Sequence, residues 1–311
     1  MDKTSFKGVL APVITPFGPD LSPDGKRLAV HCRWLLAQGL SGLAVFGTTS
    51  EANSLGMDER MALLDGLLAD GIAPARLMPG TGCCALTDTV RLTRQAVSAG
   101  CGGVLMLPPF YYKGVSDEGV FRSYAEVIER VGDARLKIYL YHIPPQSQVP
   151  IGIALIERLR RAYPDAIAGI KDSSGDEANL RALLSAFAGT DFDVYAGSEA
   201  LLLANLEGGG AGCITATANL SPAAIAALAR DWRLPGARDA QARLDLVRTT
   251  LQSQPLIPAL KAMIAHGARD EAWSRVRPPL VELDDDARKQ LAGELERIGF
   301  DMSPLAALRM T

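Results

Sequence analysis

The sequence predicts an α/β protein, a (β/α)8 TIM barrel carrying a C-terminal helical appendage. Three observations carry this reading. Eight apolar runs of strand length recur at a steady interval, with segments of helical spacing between them. The runs are nearly continuous in apolar character, as in parallel strands covered on both faces. A count of eight within 311 residues favours closure into a barrel over an open doubly wound sheet.

Taken in order, the predicted strands are residues 9–15, 43–46, 77–80, 104–107, 138–141, 167–171, 194–196 and 213–215. The helical segments between and after them are 26–38, 58–70, 87–99, 117–131, 151–163, 176–188, 198–207 and 221–231. The first places Leu28, Cys32, Leu35 and Leu36 on one face; the second does so with Met61, Leu64, Leu67 and Leu68. Ser221-Pro222 opens the eighth helix with a hydroxyl at the cap and proline at the first helical position. Ala37-Gln38-Gly39-Leu40-Ser41-Gly42-Leu43 is echoed by Ser98-Ala99-Gly100-Cys101-Gly102-Gly103-Val104, which suits a repeated βα unit. After Trp232 the pattern changes. Leu234-Pro235-Gly236 breaks the chain, and helical segments at 237–252, 256–266 and 287–298 follow without further strands. Residues 1–234 are therefore expected to form the barrel with its site, and residues 235–311 the helical region.

Composition narrows the function classes. Apolar residues make up 48% and charged residues 22%, as in ordinary soluble proteins, and the net charge of −3 offers no surface for nucleic acid or anionic membranes. The N-terminal stretch Met1-Asp2-Lys3-Thr4-Ser5-Phe6-Lys7 lacks the apolar core of a secretory signal, and no apolar run approaches membrane-spanning length. A cytoplasmic location is expected. Five cysteines without paired spacing argue against a disulfide framework, and the three scattered histidines form no metal motif.

In such a barrel the reactive groups gather at the C-terminal ends of the strands. The sixth run ends on Lys171, within Gly169-Ile170-Lys171-Asp172-Ser173-Ser174-Gly175. Only eight lysines stand against twenty-four arginines, and most lie in plainly polar contexts, whereas Lys171 follows an apolar run. A desolvated amine can attack carbonyl carbon as a Schiff-base nucleophile; the plain alternative is a lysine that marks the strand's exit into solvent. Gly47-Thr48-Thr49-Ser50-Glu51 offers two hydroxyls and consecutive backbone N–H groups, suited to a carboxylate or to a plain helix cap. Tyr141, one strand before Lys171, can relay protons or serve as a packed rim aromatic. Strand alternation turns His142 to the other face, and Tyr139 lies deeper, so both read as structural.

Together, Gly47-Thr48-Thr49-Ser50-Glu51, Tyr111-Tyr112, Tyr141-His142-Ile143-Pro144, Gly169-Ile170-Lys171-Asp172 and Gly212-Cys213-Ile214 resemble the dihydrodipicolinate synthase / N-acetylneuraminate lyase family, in order and on the expected strand ends. The resemblance implies a class I, pyruvate-dependent aldolase or lyase needing no metal or organic cofactor. It implies that Lys171 forms the imine, that Tyr141 is the general acid/base, and that Thr48 links Tyr141 to Tyr112 arriving from a neighbouring subunit. It further implies that Thr48 and Thr49 bind the 2-oxo acid carboxylate, that Gly197 and Ile214 line the pocket through their backbone, and that the assembly is a dimer of dimers.

The sequence also departs from that pattern. Where synthases of the family carry an arginine for the aldehyde substrate's carboxylate, this chain has Gln146, which offers no charge and no fork. Losing such a charge-assisted pair costs on the order of 2–3 kcal/mol, tens to hundreds of fold in recognition. Ser50 replaces a usual glycine and is expected to add a hydroxyl near the carboxylate site; His142 replaces a usual asparagine. Met57, Arg60 and Cys84 alter the lysine-feedback positions, and Gly197-Ser198-Glu199 lacks the usual acidic pair. The expected activity is therefore lysis or dehydration of some other 2-oxo acid, such as a 2-keto-3-deoxy sugar acid or a 4-hydroxy-2-oxo acid. Dihydrodipicolinate synthesis with an atypical aldehyde site, and a non-catalytic ligand-binding paralogue, are the alternatives. Whether Gln146 or Glu199 reads a substrate hydroxyl stays open in the sequence.

Overall fold

The computed structural model describes residues 6–310. Residues 1–5, which hold most of the N-terminal stretch read for a targeting signal, lie outside the described residues, as does Thr311.

Seven strands form one parallel sheet among the described residues: β1 (Gly8–Ala11), β2 (Gly42–Leu43), β3 (Val104–Met106), β4 (Ile138–His142), β5 (Ile167–Asp172), β6 (Asp193–Ala196) and β7 (Gly212–Ile214). Their order is β2-β1-β7-β6-β5-β4-β3. The third expected strand, residues 77–80, is not a regular strand, yet it fills the gap between β2 and β3. The Met78 N–H donates to Leu43 O at 2.9 Å and Gly80 N–H to Val45 O at 2.7 Å; on the other side, Leu105 N–H donates to Pro79 O at 2.9 Å. Pro79 has no N–H to give, which interrupts the ladder without opening the ring. A Cβ on Gly80 would collide with the Phe46 carbonyl, so only glycine permits this approach. The sheet is thus a curled, TIM-barrel-like ring.

The expected first strand, 9–15, is cut short for a related reason. Pro12 ends the pairing, and the buried residues beyond it are satisfied individually: Ile14 N–H donates to Asn219 Oδ1 at 3.2 Å, and Thr15 Oγ1 to Ser50 O at 2.7 Å.

The covering helices match the predicted spacing to within a few residues. They are α1 (Gly25–Ala37), α2 (Met57–Ala69), α3 (Leu86–Ser98), α4 (Asp117–Val131), α5 (Pro144–Ser147), α6 (Ile153–Ala162), α7 (Glu177–Ala186), α8 (Leu202–Glu207) and α9 (Pro222–Asp231). The single turn α5 was not foreseen. The predicted segment 198–207 divides: Ser198 caps a 3-10 turn, Glu199–Leu201, which runs on into α8. Ser221 does occupy the cap position of α9, but its side chain makes no capping bond.

Apolar residues fill two zones. Leu10, Met78, Leu105, Tyr139, Tyr195 and Ile214 pack inside the ring. A larger shell, including Leu35, Leu64, Ile156, Leu180 and Ile225, lies in the main core cluster with the helices. Burying a side chain of that size is worth ~1.5–3 kcal/mol.

Three helices follow the break at Leu234-Pro235-Gly236: α10 (Ala237–Leu251), α11 (Leu256–Ala268) and α12 (Asp285–Arg297). α11 is buried over most of its circumference, with Ala259, Leu260, Lys261, Met263, Ile264 and Ala265 all inaccessible. Its Lys261 donates to Glu51 Oε1 and, at 2.7 Å, to Arg275 O. The other Glu51 oxygen accepts the Arg277 N–H at 2.9 Å. Burial outweighs the pull of Glu51 and lowers the Lys261 pKa. No helix among the described residues is long and apolar enough to cross a membrane.

Candidate active site

Tyr141 and Lys171 are register partners on β4 and β5, each one residue from its strand's C-terminal end. Both side chains are 4% exposed. Lys171 Nζ donates to Tyr141 Oη at 3.2 Å and lies 4.3 Å from the centroid of its ring. Thr48 Oγ1 stands 3.4 Å from the same phenol oxygen. Burial opposes ionisation of that phenol, but the Lys171 charge and the hydrogen bonds from Thr48, Lys171 and Ser173 outweigh it. The Tyr141 pKa falls below its ordinary value. An amine and a phenol so placed can supply a nucleophile with a proton-transfer group beside it.

The turn after β2 supplies the second element. Its backbone is bracketed by two non-glycine residues in the left-handed region, Phe46 at φ 60° and Glu51 at φ 57°. Internal bonds from Ser50 N–H and Ala52 N–H to Gly47 O, and from Glu51 N–H to Thr48 O, hold the turn. The N–H groups of Thr48 and Thr49 are left without a protein partner among the described residues. Two adjacent free donors beside a threonine hydroxyl fit an anion such as a carboxylate. Ser50 differs from expectation. It is fully buried and its hydroxyl accepts from Gly47 N–H at 3.2 Å, so it braces the turn and adds no donor to the site.

Thr48, Thr49, Tyr141, Gln146, Lys171 and Gly197 line one cavity of about 410 Å³ at the strand ends. That volume suits a small organic ligand. A larger groove of about 690 Å³, bordered by Trp34, Leu234, Val247 and Phe300, contains none of these residues. Two predicted residues are not brought in. Ile214 is fully buried inside the ring and does not line the cavity, whereas Ala216 does. Tyr112 lies away from the cavity, 73% exposed beside Tyr111 with ring centroids 5.4 Å apart. His142 is structural, as expected: Nδ1 accepts the Ile151 N–H at 3.0 Å. Tyr139 is likewise core, at 3% exposure.

Sequence reasoning missed two cavity residues. Ser173, which helps lower the Tyr141 pKa, follows two residues after Lys171, and a Cβ on Gly197 would run into its hydroxyl. The polar pair Ser173-Ser174 was the available signal. Arg248 reaches the cavity from α10 and bonds Glu199 Oε2 at 3.0 Å. Glu199 itself is fully buried, is also bound by Thr215, and is not part of the cavity wall. Among the described residues no group of three or more His, Cys, Asp or Glu is placed to hold a metal ion.

Comparison with known proteins agrees with this fold. The dihydrodipicolinate synthetase family matches residues 5–298. An uncharacterized DapA-like lyase of Chloroflexus aurantiacus is 33% identical over 301 residues, 96% of this chain and 99% of that protein. The crystal structure of dihydrodipicolinate synthase from Agrobacterium tumefaciens superposes with a TM-score of 0.87 at 32% identity, covering 94% of this chain and 99% of the other. YagE, a prophage protein of the dihydrodipicolinic acid synthase family from E. coli K12, solved in complex with pyruvate, gives 0.87 at 27% identity over 95% and 99%. With a ring of parallel strands that ends on a lysine–tyrosine pair and a match along nearly its whole length, the chain belongs to the dihydrodipicolinate synthetase family of class I lyases.

Proposed function

We propose that this protein is a Schiff-base-forming lyase, an aldolase or dehydratase, acting on pyruvate or on a 2-oxo acid. Its substrates are of the 2-keto-3-deoxy sugar acid or 4-hydroxy-2-oxo acid class. The observation that carries the reading is the approach of Lys171 Nζ to Tyr141 Oη, 3.2 Å, within the cavity that Thr48 and Thr49 also line.

In this reading the unprotonated Lys171 amine adds to the 2-oxo carbon, and Tyr141 passes protons to the oxygen until it leaves as water. The protonated imine then accepts the electron pair released by cleavage of the C3–C4 bond, while a base takes the proton of the 4-hydroxyl. Protonation of the enamine and hydrolysis release pyruvate and restore the amine. Dehydration follows the same opening, with loss of a C3 proton and then of the neighbouring hydroxyl. Thr48 and Thr49 hold the substrate carboxylate through their free N–H groups and a hydroxyl. Gln146 and Gly197 border the substrate, as does Ala216 after β7. Tyr112, exposed in the single chain, completes the relay through Thr48 of a neighbouring subunit, so the working form is a cytoplasmic homotetramer built as a dimer of dimers. The imine itself is the electron sink, and no metal or organic cofactor takes part.

The test is borohydride reduction in the presence of pyruvate, followed by peptide mass analysis with Lys171→Ala as control. An adduct on Lys171 is expected; its absence removes the covalent mechanism. A panel of 2-oxo acids assayed for pyruvate release then identifies the substrate. The second reading is dihydrodipicolinate synthesis, favoured by the likeness to the Agrobacterium enzyme and opposed by Gln146. Condensation of pyruvate with aspartate semialdehyde at an ordinary rate would establish it over the first.

A further inference from the structure

The cavity carries a cation that the proposed chemistry does not use. Arg248 enters from α10 with its side chain 14% exposed, and it borders the cavity beside Leu201, Ala216 and Leu256. Only one of its nitrogens is spent. Nη1 donates to Glu199 Oε2 at 3.0 Å, to Thr215 Oγ1 at 3.3 Å and to Thr217 Oγ1 at 3.5 Å. Nε and Nη2 have no protein partner among the described residues, and neither is sealed from solvent. Glu199 and Thr215 are both fully buried, so the guanidinium is anchored from behind by groups that cannot leave. Gln241 clamps the same corner, donating to Glu199 O at 2.9 Å and to Asp245 at 2.8 Å.

A guanidinium fixed at Nη1 keeps a complete two-donor edge, Nε with Nη2, whose geometry matches the two oxygens of a carboxylate. The apolar neighbours weaken competition from water and make the pairing selective for charge. Thr48 and Thr49 already account for one carboxylate, and Lys171 for the carbonyl beside it. We propose that Arg248 is a specificity-determining residue that binds a second, distal carboxylate, which makes the substrate a 2-oxo dicarboxylic acid. This rests on the Schiff-base reading above and names its substrate class. It also sets a direction: the far end of the substrate lies over β6 and β7, whose following residues Glu199 and Thr215 seat Arg248. It does not lie after β4, where Gln146 offers no charge.

The test measures affinity by calorimetry for two probes that differ at the far end alone, 2-oxoglutarate and 2-oxopentanoate. The wild-type protein is expected to bind the diacid at least ~10-fold more tightly. In Arg248→Met that preference falls to within about two-fold, and Arg248→Lys, which keeps charge without the edge, lies between. Because Arg248→Met strands the buried Glu199 carboxylate, the double variant Glu199→Gln/Arg248→Met is measured beside it, and a folded double variant without preference gives the same support. Equal affinity of the wild type for the two probes overturns the proposal, and so does a preference that survives in either variant. Borohydride trapping on the wild type separates the two readings. Diacid preference without a Lys171 adduct supports the subsite and refutes the Schiff base; an adduct without preference does the reverse.

Discussion

Replacing Tyr141 by phenylalanine removes one oxygen and keeps the ring that lies 4.3 Å from Lys171 Nζ. That oxygen is the meeting point of the site: Lys171 donates to it at 3.2 Å and Thr48 lies 3.4 Å away. General acid/base catalysis by a positioned group contributes about 10²–10⁴-fold. At about 1.36 kcal/mol per tenfold, Tyr141→Phe is expected to raise the barrier by about 3–5 kcal/mol. The substitution leaves the proposed carboxylate contacts from Thr48 and Thr49 in place, so KM is expected to move by less than about fivefold while kcat carries the loss. The pH profile gives a second signature. The pull of Lys171 and its neighbours on the phenol outweighs burial in the free protein, so an ionisation limb in kcat/KM should appear below the usual tyrosine value of about 10 and vanish in the variant. Steady-state release of pyruvate, measured with single-turnover trapping by borohydride, reads both quantities. Turnover within about threefold of wild type, or a limb that persists in Tyr141→Phe, would refute the assignment.

Four further outcomes are expected. Tyr112→Phe should slow turnover more than it slows imine formation, by comparison of steady-state and trapping rates; unchanged turnover excludes the relay. Gln146→Arg should raise condensation of pyruvate with aspartate semialdehyde by at least ~10-fold, since it restores a carboxylate fork, and a flat response would place the aldehyde end elsewhere. Lys261→Met leaves the Glu51 carboxylate buried without its cation and should cost about 3–5 kcal/mol in urea unfolding, with Glu51→Gln/Lys261→Met losing far less. His31 is fully buried between Trp34 and Trp273, and burial pushes its pKa down to about 4 against the opposing bond to Asn219 O. The unfolded chain, titrating near 6.5, then binds more protons than the folded one between those values. Stability should fall by up to about 3 kcal/mol as pH drops from 6.5 to 4, and a His31→Met variant should lose that slope.

The parts of the site legible in the sequence are those whose signal is local. Lys171 ends an apolar run, Tyr141 ends the run before it, and consecutive parallel strands in a βα series are neighbours, so the pair follows from strand order alone. Thr48 facing Tyr141 needs only the closure of the ring. What stayed hidden depends on contacts between distant segments. Arg248 sits in a helix that reads like any amphipathic one, a single arginine among twenty-four, and its meaning comes from Glu199, 49 residues away. Lys261 is buried in an apolar helix, and its partner Glu51 precedes it by 210 residues. The inward direction of the Ser50 hydroxyl depends on how the turn folds back onto Gly47, which no local pattern announces. The third predicted strand lost its regular form to Pro79, a residue whose missing N–H was visible but whose bridging role was not.

The Glu51–Lys261 contact also bears on how this chain can be cut and recombined. The break at Leu234-Pro235-Gly236 looks like a seam, and a protein engineer would be tempted to graft the barrel onto another tail there. Yet the turn that presents Thr48 and Thr49 is tied to α11 through Glu51, which both Lys261 and the Arg277 backbone hold. The tail therefore completes the barrel's rim as well as covering it. A transplant across that seam keeps the turn shaped only if the incoming tail brings a lysine in register with Glu51, so the two segments are exchangeable as a matched set and not separately.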